Sequence, residues 1–223
     1  MRKAAIGIAL LVLAPQVFAA TVSILGTGIL FEASNGEKNT VLLQGAVVDE
    51  PILGDGFLIV DSTGGDILTS GQGCRASGNR VSCAITPAFV KLELRDENDS
   101  VITQVAVRMI VNGGKGNDVI TGSNADDDLD GDRDNDTIDG RGGNDEIRGG
   151  FGDDTLTGGL GDDDLIGSLG GDTLDGGPGL DQFDAGSGKD IIRAQDGVSE
   201  KIRCGGGNDT VTKDANDETS RCR

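Results

Sequence analysis

The chain has 223 residues, of which 38 are glycine and only 3% aromatic, with no Trp, Tyr or His. That composition argues against one large conventional core. The missing histidine also excludes Ser-His-Asp and Cys-His nucleophile systems and the H-E-x-x-H metalloprotease motif. Acidic residues number 38 against 19 basic ones, a formal charge of -19, which speaks against nucleic acid or anionic membranes as partners and for cations.

The opening stretch MRKAAIGIALLVLAPQVFAA places Arg2 and Lys3 before an apolar run over residues 4–13 and small residues at Ala19 and Ala20. This is the pattern of a Sec-type signal peptide, residues 1–20, cleaved after Ala19 or Ala20. The run is shorter than the ~20 residues a spanning helix needs, and no later segment is long and apolar enough to cross a bilayer. The expectation is therefore a secreted, extracellular mature chain without a membrane span.

Residues 21–112 carry short apolar runs, among them TVSILGTGILFEA, NTVLLQGAVV, GFLIVD and FVKLEL, broken by Gly, Asn and Pro. These are strand signals and predict a β-rich N-terminal region. Near its end, LRDENDSVI looks like a decayed copy of the pattern that follows, with Asp99 and Val101 in its key columns. QVAVRMIVN then runs into that pattern without a linker.

Export permits disulfides, and four cysteines allow three connectivities. The local pairs are preferred. In GCRASGNRVSC, Cys74 and Cys83 flank a Gly-Asn turn typical of a hairpin, while Cys204 and Cys222 would tie the tail to the end of the repeats. A zinc site is the rival reading, but it lacks histidine and any C-x-x-C pair.

Residues 113–193 divide into nine nonapeptides without a slip: GGKGNDVIT, GSNADDDLD, GDRDNDTID, GRGGNDEIR, GGFGDDTLT, GGLGDDDLI, GSLGGDTLD, GGPGLDQFD and AGSGKDIIR. Position six is Asp throughout: Asp118, Asp127, Asp136, Asp145, Asp154, Asp163, Asp172, Asp181 and Asp190. Position eight is always Ile, Leu or Phe, and position one is Gly in all units but the last. A disordered acidic tract has no reason to hold an apolar column in phase with an Asp column. The physical reading is a short strand around position eight, its apolar side chain inward, followed by a glycine-rich turn that exposes carbonyls. Two nonapeptides make one coil, so residues eighteen apart stack. Fixed-period repeats of this kind mark solenoids.

These residues hold 21 acids against 6 bases, a charge that must be neutralised when the coils stack. Carboxylates with carbonyl oxygens are hard ligands that suit Ca²⁺ better than zinc or copper, and better than Mg²⁺ with its strict octahedron. An EF-hand reading of DDDLDGDRDNDT fails, because its last position is Thr137, not Glu, and no helices flank it.

Units such as GGKGND, GGFGDD and GGLGDD resemble the G-G-x-G-x-D-x-U-x nonapeptide of RTX, or haemolysin-type, calcium-binding repeats. The resemblance implies an all-β, right-handed parallel β-roll or β-helix solenoid in which turn carbonyls and position-six carboxylates of successive coils sandwich Ca²⁺. Carried over onto this sequence, the metal residues are the nine position-six aspartates with Gly114, Gly116, Gly150, Gly152, Gly159, Gly161, Gly177 and Gly179 in the turns. Ala125 and Asp134 replace glycine at position four and weaken the match in units two and three. After a ten-residue segment, CGGGNDTVT restores the motif with Asp209, so residues 194–223 read as a terminal repeat and a disulfide-closed cap.

The function this implies is an extracellular calcium-binding protein that holds several ions, folds or rigidifies with them, and serves a structural or adhesive role. The reading leaves room for a cell-surface or polysaccharide partner, and oligomeric state has no signal in the sequence. The alternative is a secreted carbohydrate-active enzyme of lyase, epimerase or hydrolase type, since solenoids host such activities. Against it, an Asp fixed at one repeat position is more economically a ligand than a general acid, and no Tyr or Trp is present to stack a sugar. An ice-binding roll is disfavoured because position seven, read in chain order, offers no regular threonine array.

Overall fold

The computed structural model describes residues 89–103 and 106–222, together with six earlier strands as backbone. The signal-peptide expectation lies outside the described residues. The early strands are β1 (Thr21–Leu25), β2 (Gly28–Glu32), β3 (Thr40–Gly45), β4 (Phe57–Asp61), β5 (Cys74–Ser77) and β6 (Arg80–Cys83). Next come β7 (Phe89–Glu93), β8 (Ser100–Thr103), β9 (Arg108–Lys115), β10 (Val119–Thr121), β11 (Asp128–Arg133), β12 (Thr137–Gly142), β13 (Glu146–Phe151) and β14 (Thr155–Leu160). The series ends with β15 (Asp164–Leu169), β16 (Thr173–Asp175), β17 (Gln182–Asp184), β18 (Ile191–Ala194), β19 (Lys201–Arg203), β20 (Thr210–Lys213) and β21 (Glu218–Ser220).

From β7 onward the chain alternates between two sheets, so odd-numbered strands build one face and even-numbered strands the other. Every neighbouring pair in this part is parallel, and the offset through the repeats is one coil of two nonapeptides. Leu129 lies beside Ile147, then Leu165, then Phe183 in the first sheet. Ile120 lies beside Ile138, Leu156, Leu174 and Ile192 in the second. The result is an all-β solenoid of about 7 turns, and no helix long and apolar enough to cross a membrane occurs among the described residues.

The position-eight column is the core. All nine of its members, from Ile120 to Ile192, are at most 3% exposed. Each such side chain contributes about 1.5–3 kcal/mol by leaving water, and because the columns stack, that burial also fixes the register. LRDENDSVI forms a coil of the same kind: Val101 is buried beside Ile120. Upstream, β2 and β3 pair in parallel with β7 and β8, so the sheets continue past residue 113 toward the N-terminus.

One expectation about the surface needs correction. Successive units contribute position seven to opposite sheets, so Thr137, Thr155 and Thr173 stand in direct register on one face. A threonine ladder therefore exists, flanked by Val119 and Ile191 in its column and by Asp139, Asp175 and Arg193 beside it.

Cys204 and Cys222 form a disulfide, with Cα atoms 4.9 Å apart. Their separation of 18 residues is one coil, so the stacking that aligns the aspartates also aligns the sulfurs. Cys74 stands opposite Cys83 in the antiparallel β5–β6 pair, and the side chains of this pair lie outside the described residues. The double variant Cys204→Ser, Cys222→Ser releases the last coil, at a cost of about 3 kcal/mol for a loop of this size. Amide exchange in β20 and β21 is expected to accelerate while that of β12–β15 stays unchanged.

Candidate metal sites

The aspartate columns are not on a solvated edge. Asp118, Asp127, Asp136, Asp145, Asp154, Asp163, Asp172, Asp181 and Asp190 are all at most 3% exposed, folded into the turns that join one sheet to the other. One carboxylate oxygen of each is held by the preceding coil. The Asp118 N–H donates to Asp136 Oδ1 (2.8 Å), Asp136 N–H to Asp154 Oδ1 (2.8 Å), Asp154 N–H to Asp172 Oδ1 (3.0 Å) and Asp172 N–H to Asp190 Oδ1 (2.9 Å). On the opposite edge Asp127, Asp145 and Asp163 donate in the same way to Asp145, Asp163 and Asp181.

The second oxygen is different. Oδ2 of Asp118, Asp136, Asp145, Asp154, Asp163, Asp172, Asp190 and Asp209 is buried and accepts no hydrogen bond. An unsatisfied buried polar atom costs about 1–3 kcal/mol and a charged one more. The strain shows in acidity. Burial first, then neighbouring carboxylates, push Asp136 up to about 8 and both Asp145 and Asp172 up to about 7. Asp154 and Asp163 are also raised, by burial.

These oxygens point at the position-one glycines. A Cβ on Gly149 would stand 2.3 Å from Asp154 Oδ2, and one on Gly131 would stand 2.2 Å from Asp136 Oδ2 and 2.8 Å from the Gly149 carbonyl oxygen. Glycine at position one is thus what gives the carboxylate oxygen room to lie against the backbone, beside a carbonyl of the next coil. The donors are all hard oxygens, which fit Ca²⁺. Among the described residues no three acidic side chains gather as a ready metal centre, so carbonyls must supply much of any ligand shell.

The turn glycines read from the sequence, Gly114, Gly116, Gly150, Gly152, Gly159, Gly161, Gly177 and Gly179, all have positive φ, between 90° and 157°. They lie against carbonyls one coil back, as Gly161 does over Gly143. Unit two departs from the rest. Ser123 donates its N–H to Asp127 Oδ2 (2.6 Å) and its hydroxyl to Asp127 Oδ1 (3.2 Å), so both oxygens of Asp127 are already satisfied. In the ninth unit Ala185 puts a methyl at position one, where the other turns carry glycine.

A further column escaped the sequence reading. Position-five side chains form an exposed ladder outside the turns: Asn117 Oδ1 accepts from Asn135 N–H, Asn135 Oδ1 from Asp153 N–H, and Asp153 Oδ1 from Gly171 N–H. Asp126, Asn144 and Asp162 do the same on the other edge. The signal was present as Asn or Asp at position five in the first six units.

The model of the RTX calcium-binding nonapeptide repeat matches in four copies, at residues 110–138, 132–165, 139–174 and 166–198. The coils within residues 110–198 are RTX calcium-binding repeats. Such repeats bind Ca²⁺, and calcium is accordingly the metal for which the RTX turns of this chain are built. Together the matches cover residues 110–198, which takes in the nine in-register units and the first half of the ten-residue segment before the cap. No curated protein matches the chain in sequence.

Proposed function

We propose that this is a secreted, non-enzymatic protein that binds several calcium ions in its RTX coils, folds or stiffens as it does so, and serves a structural or adhesive role outside the cell. The supporting observation is the buried aspartate columns, in which every member but Asp127 and Asp181 holds one oxygen without a donor. Asp118, Asp136, Asp145, Asp154, Asp163, Asp172, Asp190 and Asp209 would supply the carboxylates, with turn carbonyls completing each shell. Asp127 is the poorest candidate, because Ser123 already occupies it.

The mechanism is coupled folding. Stacking the coils buries like charges, and an ion that binds only the stacked form repays that penalty in proportion to its concentration. Low calcium before export would leave the repeats loose, and higher calcium outside would close them. Each aspartate's surroundings recur from coil to coil, which supports a ligand column over a singular general acid.

Far-UV circular dichroism of the full chain, titrated with Ca²⁺ and separately with Mg²⁺, tests the reading. A cooperative gain of β signal with Ca²⁺ is expected, and calorimetry showing at most one weak site would overturn it. Asp154→Asn gives a sharper test. Asparagine keeps the Oδ1 acceptor for Asp136 N–H but removes the charge, so calcium affinity should fall by at least about tenfold, the effect that losing a mere supporting group can produce. The calcium-free form should become more stable. A merely structural aspartate would not move the two readouts in opposite directions.

A further inference from the structure

The last coils break the nonapeptide rule. Between β17 and β19 the offset is 19 residues, Gln182 to Lys201, and between β19 and β21 it is 17, Lys201 to Glu218. The extra residue falls in the segment AQDGVSEKIR, where the position-six place, two before buried Ile202, is taken by Glu200. The glycine pair of the other turns is missing here, and a Cβ on Gly197 would meet nothing. The carbonyl cradle of the RTX turns is therefore absent, and carboxylates have taken its place.

Glu200 is 1% exposed, and no donor reaches either of its oxygens. Its carboxylate lies within hydrogen-bonding reach of both Asp196 and Asp217. Asp196 is fixed by the N–H groups of Gly179 (3.0 Å) and Val198 (2.8 Å). Asp217 is fixed by Glu200 N–H (3.2 Å) and Asp214 N–H (2.5 Å). Each of these oxygens keeps a spare lone pair. The nearby cation Lys213 is directed at the backbone carbonyls of Asp214 and Asp217.

A buried carboxylate with both oxygens unsatisfied and a second carboxylate on either side of it needs a positive charge beside it. We propose that Glu200, Asp196 and Asp217 form a calcium site of their own, built from side chains in place of turn carbonyls, that clamps the terminal coil beside the Cys204–Cys222 disulfide. The site rests on the reading that calcium is this chain's ion, but not on the nonapeptide motif. The three groups are not yet gathered on one point, so binding includes a short closing movement of Asp196, the exposed member. Burial, then Asp196 and Asp217, push Glu200 up to about 8, so a proton is the natural competitor for the same place.

The test is calcium stoichiometry of the full chain by equilibrium dialysis, combined with amide exchange of residues 195–220. Glu200→Gln should bind one calcium fewer than wild type and lose the calcium-induced protection of the terminal turns, with the RTX transition intact. Because glutamine also relieves repulsion, the variant should fold at least as well without calcium. Asp196→Asn should repeat the loss, and Glu218→Gln, an exposed acid on β21, should not. Wild-type stoichiometry and protection in both Glu200→Gln and Asp196→Asn would overturn the proposal while leaving the RTX reading standing. A wild type that binds no calcium at all would overturn both.

Discussion

In a chelator, lowering the pH from about 8 to about 5 is expected to fold the RTX coils, the reverse of ordinary acid denaturation. The sign follows from proton linkage. Asp118, Asp127 and Asp181 are pushed up to about 6, Asp145 and Asp172 to about 7 and Asp136 to about 8, from an unfolded value of 3.8, each chiefly by burial. Between those limits the folded chain binds more protons than the unfolded one, so stability falls as pH rises. The stabilisation is complete below about 4 and lost progressively up to about 8. On the proposed reading calcium would take the same oxygens only when they are ionised, so its apparent affinity should rise over this range. Melting temperatures measured against pH with chelator and with excess calcium check this. The calcium-free curve should slope downward with pH and the calcium-loaded one should not. Parallel curves would mean that the aspartates do not exchange protons for calcium.

The columns that were legible in the sequence are those whose physical requirement admits few residue types. Position eight must fill a dry interior and position six must present a short carboxylate, so both are invariant in chemistry over nine units. The depth of the aspartates was not legible: an acid in a polar stretch reads as solvated, and only the amide ladder from coil to coil shows that it is enclosed. The position-five ladder was obscured because Gly171, Leu180 and Lys189 end it. The threonine ladder was obscured because units adjacent in sequence lie on opposite faces. Glycine itself is a looser signal than it looked. Asp132, Asp134, Arg141 and Ser168 occupy glycine columns at φ of 72° to 83°, within or near the left-handed well that a polar side chain can tolerate.

That distinction sets the last expectation. Gly161 has φ of +133°, far outside the left-handed well, and a Cβ there would stand 1.9 Å from the carbonyl oxygen of Gly143 in the coil beneath. Backbone, not a flexible side chain, lies in the way. Gly161→Ala must therefore rotate toward the conformation of Asp134 or part the coils. Strain of about 1–3 kcal/mol and overpacking of similar size make a loss of about 3 kcal/mol or more. Gly142→Ala is the control, because its Cβ would meet nothing closer than 3.6 Å, the ordinary contact distance of Leu160; its stability should stay within about 0.5 kcal/mol of wild type. Denaturant unfolding with saturating calcium separates the two. Parting the coils at Gly143 also shifts the carbonyls that the proposed calcium shells would use, so Gly161→Ala should lose calcium affinity together with stability, and Gly142→Ala should lose neither. Equal behaviour of the two variants would show that the turns yield freely, and that carbonyl positions set by close coil contact are not what the glycine columns preserve.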